Sequence, residues 1–316
     1  MMQIYNTREI NGYPELEEFD QISIGSWINL IQPTQQEIDE VIDKLGVPMD
    51  FMKAALDEEE RARIESEDGF TLLIIDIPTI SVDEHAGLFI TMPMGIIIND
   101  SNLITISLRD TPILKDFIQN KIKGFYTYKK TRFLFQILHR NATYYLQHLR
   151  AIDRQSSKIE KELHRSMKNK ELIQLLDLEK SLVYFSTSLK SNEGILEKLL
   201  RSKPLKMYPE DEDLLEDVII ENKQAIEMST IYSGILSGTM DAFASIISNN
   251  LNIVMKFLAS ITIVMAIPTM IASFFGMNLD PMPSIVTFPH AFWIIVAISF
   301  GLSAILGFFM FKKDLF

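Results

Sequence analysis

The chain has 316 residues, enough for a soluble domain of ordinary size together with a membrane portion. It contains no cysteine, which excludes disulfide bonds, thiolate metal sites and a cysteine nucleophile. The formal net charge of -12 argues against a nucleic-acid partner and is compatible with contact with cations, although an acidic balance also keeps an ordinary soluble domain in solution.

The first 110 residues alternate short helical and strand signals. The apolar, β-branched runs predict strands at 27–30, 70–75, 95–98 and 102–107. A helix is predicted to begin at Thr34, with acidic residues in its first turns. Residues 1–6 lack a basic stretch followed by an apolar core, so no cleaved signal peptide is expected. We therefore predict a cytoplasmic α/β domain with a small sheet over residues 1–110.

From residue 111 onward the periodicity becomes helical. Helices are predicted over 113–121, 129–167 and 170–202, which together form a helical region at 111–209. A last helix starts at 210 and has no strong breaker between Pro209 and Pro268. Some 60 helical residues would be about 90 Å long, too long for one small domain. This segment, 210–278, is predicted to be a stalk that carries the cytoplasmic domain into a membrane.

Two apolar segments end the chain. Residues 257–279 and 291–311 contain no charged residue, and about 20 helical residues cross the hydrocarbon core of a bilayer. Lys256 and the pair Lys312–Lys313 flank these spans, whereas the loop 279–290 contains Asp280 and no lysine or arginine. The positive-inside rule then predicts that both termini are cytoplasmic and that the loop is extracellular. The second span and its basic tail occupy residues 291–316.

A stripe of small and polar residues follows the long helix in alternating steps of four and three. A repeat of 3.5 residues keeps one face toward a common axis. One interpretation is close packing of membrane helices through small residues. The other is a water-filled pore between several copies, favoured because polar groups in the span would be costly against lipid. The stripe consists of Gly234, Gly238, Asp241, Ser245, Ser248, Asn252, Met255, Ala259, Thr262, Ala266, Thr269, Ser273 and Gly276.

The sequence Phe275–Gly276–Met277–Asn278, placed between two C-terminal spans, resembles the CorA-type magnesium channels. Further similarity lies at 27–29, 56–65, 252–256 and 268–269, so the resemblance covers most of the chain. It implies a mostly helical α+β fold, assembled as a funnel-shaped homopentamer in the inner or plasma membrane. The first span would line the pore and the second would lie outside it.

The resemblance also assigns roles to residues. Gly276 and Met277 would hold a turn that aims a ring of Asn278 amides at the outer mouth. Thr269 and Asn252 match polar rings further down, and Asp241 matches an acidic position near the inner end. The narrow apolar gate is matched by Met255 and Leu258. The expected cargo is Mg²⁺, with cobalt and nickel as further candidates.

Gating in the family is feedback by magnesium bound between cytoplasmic domains, and Asp217 matches one regulatory carboxylate. An acidic run after Pro209 also suits a helix N-terminus without any regulatory role. Where relatives place Glu–Asp as the partner, this chain has Lys53–Ala54, so Asp50 or Asp57 would have to substitute.

The chain is not expected to be an enzyme. It has no phosphate-binding Gly-x-x-x-x-Gly-Lys loop, and its five histidines show no metal-ligand spacing. Two other functions remain open. One is a zinc transporter of the ZntB type, which shares the architecture, and the other is a two-span scaffold without transport.

Overall fold

A computed structural model of the chain describes residues 1–10, 13–81, 88–166, 169–277 and 290–313. The chain divides into two compact units, Met1–Gly238 and Thr239–Phe316. The described elements, in chain order, are β1 (Met2–Ile10), β2 (Tyr13–Phe19), β3 (Trp27–Ile31), α1 (Gln35–Leu45), α2 (Met49–Ala54), β4 (Arg63–Glu67), β5 (Phe70–Ile80), β6 (Phe89–Ile98), β7 (Leu103–Ser107), α3 (Pro112–Ile118), α4 (Lys130–Ser166), α5 (Asn169–Ser202), α6 (Pro209–Phe275) and α7 (Ala291–Lys312).

The strands form one seven-stranded sheet in the order β2-β1-β3-β7-β6-β5-β4. Every described neighbouring pair is antiparallel except β3 and β7, which run parallel with Trp27 opposite Leu103. The sheet alternates side chains between its two faces, and both faces are covered. Ile28 and Leu30 join the core under α1 and α2. Trp27 joins the core formed with α3, α4, α5 and the start of α6.

Local sequence signals explain where the helices begin and end. Thr34 caps α1 through a capping box with Glu37, and Gly46 ends the helix in a left-handed conformation at φ 74°. Thr111 caps α3, whose first residue is Pro112. Side-chain caps such as these satisfy backbone N–H groups that the first turn of a helix leaves unpaired.

The sequence-based predictions of the main strands and helices are confirmed within a few residues, but the predicted small sheet is wrong. Three strands, β1, β2 and β4, and the short helix α2 were not predicted. Strands β2 and β4 are the two edges of the sheet and carry many charges. Edge strands with charged side chains resist pairing with other chains, and the same charges hide the apolar alternation that identifies a strand.

The second unit contains the later part of α6 and all of α7. These are the described helices that are long and apolar enough to cross a membrane. Helix α6 continues through Pro268 to Phe275, as predicted. The predicted end of the first span at residue 279 and the loop to 289 lie outside the described residues. The fold is thus mostly helical, with an N-terminal sheet domain and a 67-residue helix that precedes a second apolar helix.

Candidate functional site

The stripe on α6 is the first candidate for a functional surface. Within the second unit every stripe position from Asp241 to Gly276 is exposed in the single chain. Large apolar residues on other faces of this helix are also exposed, among them Met265 and Phe274. Exposure alone therefore does not separate a pore face from a lipid face, and the position of α7 is needed to do so.

Helix α7 covers one side of α6. Ser260 is only 2% exposed, and a Cβ atom placed on Gly307 of α7 would lie 3.9 Å from Val264 Cγ2. Beyond Val264, the less exposed positions of α6 are Ile267, Pro268, Ile271 and Phe275. At ~100° per residue, this set and the stripe from Ala259 to Gly276 point about 180° apart. The stripe thus lies on the face of α6 opposite α7.

Two threonines of the stripe have their hydroxyl protons engaged within α6. Thr262 Oγ1 donates to the carbonyl of Leu258 at 2.8 Å, and Thr269 Oγ1 donates to the carbonyl of Met265 at 3.1 Å. Each hydroxyl is therefore satisfied without help from another helix. The lone pairs that remain on each oxygen can accept hydrogen bonds from water, including the water around a cation.

The remaining predicted pore residues on α6 share this exposure. Asp241 and Asn252 are exposed, so their oxygen atoms are available to solvent or to a second copy of the chain. Met255 and Leu258, the predicted gate, are exposed by 58% and 53%. Met255 lies about one turn and Leu258 about two turns beyond Asn252 along α6. In a ring of several copies, they would form an apolar collar next to a polar one.

The tripeptide Gly276–Met277–Asn278 is only partly described. The N–H of Gly276 donates to the carbonyl of Ala272 at 2.9 Å, which closes the last turn after α6. A Cβ atom on Gly276 would lie 3.3 Å from the same carbonyl oxygen, so a side chain here would crowd that turn. Met277 is exposed. Asn278 lies outside the described residues, and its predicted role stays a prediction.

Asp217, the predicted regulatory carboxylate, is exposed on the part of α6 that belongs to the first unit. The two candidate partners, Asp50 and Asp57, are also exposed, as is Lys53. Among the described residues, no group of three or more histidine, aspartate or glutamate side chains is arranged to hold a metal ion. Asp217 is thus an exposed carboxylate that is available to solvent or to a second copy of the chain.

One polar contact near Asp217 was not predicted from the sequence. His139 Nε2 on α4 lies 3.4 Å from Glu221 Oε1 on α6, one turn beyond Asp217. Thr143 Oγ1 lies 3.2 Å from the other oxygen of Glu221. The hydrogen bond to Glu221 raises the pKa of His139, and the same bond lowers the pKa of Glu221. The sequence shows that His139 and Thr143 are four residues apart on one helix. It does not show that α6 packs against that face.

Most of this chain is similar to known proteins. A family model described as "CorA-like Mg2+ transporter protein" matches residues 24–313. A cobalt/magnesium transport protein CorA from Methanocaldococcus jannaschii is 28% identical over 276 residues, covering 86% of this chain and 85% of the relative. A second, from Thermotoga maritima, is 21% identical over 300 residues, covering 93% and 84%. The complete structure of the Methanocaldococcus jannaschii CorA magnesium transporter matches with a TM-score of 0.83 and 25% identity, covering 98% and 97%.

Proposed function

Since the chain belongs to the CorA-like Mg2+ transporter family and is a divalent-cation transporter of membranes rather than an enzyme, we propose that it is a magnesium channel. The channel is a homopentamer in the cell membrane with both termini in the cytoplasm. Mg²⁺ enters down its electrochemical gradient, and Co²⁺ and Ni²⁺ also pass. A divalent ion gains about 4.6 kcal/mol on crossing ~100 mV, inside negative, so no chemical energy source is required.

The observation that carries this proposal is the position of the stripe. Its small and polar residues lie on the face of α6 opposite α7, which supports a pore at the stripe and a second span outside it. If the stripe served only to pack α6 against α7, it would be covered by α7. The covered residues instead form a different set, beginning at Ser260 and Val264.

The chemistry of the stripe suits a hydrated magnesium ion. Mg²⁺ gives up its octahedral water shell reluctantly. Neutral oxygen atoms, such as those of Thr262, Thr269 and the Asn278 amide, can accept hydrogen bonds from those waters without removing them. A ring of carboxylates at the mouth would bind the ion more tightly and slow its release. The one acid of the stripe, Asp241, would attract the cation near the inner end.

Closure depends on internal magnesium in this proposal. Mg²⁺ binds between neighbouring cytoplasmic domains, with Asp217 as one carboxylate and Asp50 or Asp57 of the next copy as the partner. Loss of the ion frees the domains and opens the pore. The Asp217→Ala variant should then need a higher magnesium concentration for closure, and for protection of the cytoplasmic domain from protease. An unchanged concentration would move the regulatory site elsewhere.

The primary test is magnesium uptake into liposomes that carry the purified full chain. We expect Asn278→Ala to lose most of the uptake at unchanged expression and reconstitution. Asn249→Ala is the matched control, because Asn249 is an exposed asparagine of α6 outside the stripe. It should keep normal uptake. Unchanged uptake in Asn278→Ala would contradict the role proposed for this residue, whereas absence of uptake in the wild type would support a scaffold without transport.

Selectivity requires a second comparison in the same liposomes. Uptake of Mg²⁺ and Zn²⁺ is measured with and without a proton gradient. A channel of the proposed kind conducts Mg²⁺ in both conditions, at a rate set by the ion gradient and the voltage. Proton-dependent zinc uptake without magnesium flux would contradict the channel and indicate a ZntB-type transporter.

A further inference from the structure

The contact between His139 of α4 and Glu221 of α6 engages both oxygens of one carboxylate. His139 Nε2 is 3.4 Å from Oε1, and Thr143 Oγ1 is 3.2 Å from Oε2. The same hydroxyl lies 2.9 Å from the carbonyl oxygen of His139, so its single proton serves one acceptor at a time. Among the described contacts, the imidazole is therefore the one cationic group of α4 within ion-pair distance of Glu221.

The two side chains are partly buried but remain in contact with solvent, so they can exchange protons with it. The side chains of His139 and Glu221 are 35% and 30% exposed. Partial burial strengthens an ion pair relative to a fully exposed one, although solvent still screens it. The neighbouring groups are also charged. Asp217 lies one turn before Glu221 on α6 and raises the pKa of His139 further, whereas Arg140, next to His139 on α4, lowers it.

Arg140 is already paired elsewhere. Its guanidinium contacts the buried carboxylate of Asp116 on α3, which also accepts hydrogen bonds from Lys121 and Tyr144. Arg140 is therefore held toward α3 and, among the described contacts, forms no ion pair with Glu221, although its charge also lowers the pKa of Glu221. The cation that joins α4 to α6 at this point is the protonated imidazole of His139.

We propose that His139 and Glu221 form a proton-dependent clamp that holds α6 against α4 and thereby regulates the ion flux of the proposed channel. The clamp rests on the proposed function only for its effect on flux. Its location matters because α6 is one continuous helix from Pro209 to Phe275, so the clamped segment belongs to the element that carries the stripe. Release of the clamp removes a contact that resists movement of this helix, and flux increases.

The direction of the pH dependence follows from the two shifted groups. The pKa of His139 is raised above its ordinary 6.5, so the clamp's stabilisation is full below that value and is lost as the pH rises through the raised pKa. The pKa of Glu221 is lowered from 4.5, so the stabilisation is lost again only when the pH falls through that lowered pKa. The clamp is therefore closed in mildly acidic solution and opens as the pH rises through the raised pKa of His139.

Hydrogen exchange of the full chain in lipid nanodiscs tests the clamp without requiring transport. Protection factors, corrected for the intrinsic pH dependence of exchange, are measured for residues 215–225 between pH 5.5 and 9. We expect protection in the wild type to fall about two- to fivefold as the pH rises, the range that corresponds to a partly exposed ion pair. His139→Gln should show low protection at every pH, and His139→Lys, which keeps a positive charge, should show high protection at every pH.

The matched control is His164→Gln, because His164 is an exposed histidine in the last turn of α4. This variant should retain the wild-type pH profile. Magnesium uptake in liposomes at the same pH values should rise with pH in the wild type and become independent of pH in His139→Gln. The same fall in protection with pH in His139→Gln as in the wild type would overturn the clamp. Magnesium uptake that does not change with pH in the wild type would overturn the effect of the clamp on flux. Absence of magnesium uptake at every pH would instead overturn the proposed function.

Discussion

The two compact units differ in how they treat large apolar side chains. In the sheet domain, large side chains such as Trp27 and Phe133 are fully buried. In the second unit, Trp293 and Phe308 are 67% and 70% exposed, whereas the small Ser260 and Ser303 are buried. Water drives apolar groups together in the first unit, but lipid is as apolar as the side chains and gives no such drive in the second. Close contact between helices there depends on small residues instead.

The two tryptophans of the chain give the largest expected contrast. Trp27 packs among Tyr5, Phe117, Phe125 and Phe133, and its Nε1 donates to Thr105 Oγ1 at 2.8 Å. Trp27→Ala should lower the free energy of unfolding of the sheet domain by about 3–5 kcal/mol. Trp293→Ala should leave it unchanged, because this side chain packs against no core. Chemical denaturation of the full chain in detergent, followed by circular dichroism, measures both. A similar loss in the two variants would contradict the contrast.

A buried and an exposed aspartate should also differ in how much each contributes to the stability of the fold. Asp116 is 3% exposed and contacts Arg140, Lys121 and Tyr144, whereas Asp241 is exposed. Asp116→Asn should cost about 1.5–3 kcal/mol of stability, the range for hydrogen bonds to a charged group. Asp241→Asn should leave stability unchanged and reduce magnesium uptake. If Asp241→Asn unfolded the chain, the acid would have a structural role rather than one in the pore.

The pKa of Asp116 adds a pH dependence to this prediction. Burial raises this pKa, but the hydrogen bonds from Arg140, Lys121 and Tyr144 outweigh burial and lower it below its ordinary 3.8. The pairing therefore stabilises the fold above that value and is lost as the pH falls through the lowered pKa. The wild type should lose more stability between pH 5 and pH 2 than Asp116→Asn does. Denaturation midpoints measured across this range check the sign.

Two glycines, one in each unit, give the smallest expected difference in stability. A Cβ atom on Gly95 of β6 would overlap Ala55 Cβ, which follows α2, whereas one on Gly307 would lie at an ordinary 3.9 Å from Val264 Cγ2. Gly95→Ala should destabilise the sheet domain by about 1–2 kcal/mol through overpacking. Gly307→Ala should leave the packing of α7 against α6 unchanged. Gly307→Leu, which is too large for the contact, should lower the thermal stability of the membrane part in detergent, and equal stability of the two Gly307 variants would contradict close packing at this point.

The sequence correctly predicted the helices and strands whose residue pattern is visible within that one element. Helix α6 and the two spans follow from long uncharged or periodic runs, and β3 and β5 follow from short apolar ones. Edge strand β4 was missed because one face carries the charges of Arg63, Glu65 and Glu67 and the other has only one apolar residue, Ile64. Short helix α2 was missed because six residues are too few to show a period.

The candidate site shows the same difference between features of a single element and contacts between elements. The stripe could be predicted because every member except Gly276 lies on α6, where spacing alone assigns a common face. The contact of His139 with Glu221 could not, because it depends on the register of α4 against α6, which no local pattern specifies. The partner of Asp217 stays open for a related reason, since the proposed ligand comes from another copy of the chain.

The most direct test of the central claim, that the stripe lines the pore, uses the absence of native cysteine. Single cysteines are introduced at Thr262, Ala266 and Thr269 on the stripe, at Ile271 on the face toward α7, and at Phe308 on α7. A water-soluble thiol reagent is then applied while magnesium uptake is measured in liposomes. We predict that uptake is blocked in the three stripe variants and continues in the other two. Block at Phe308→Cys, or continued uptake in all three stripe variants with their thiols modified, would contradict the account.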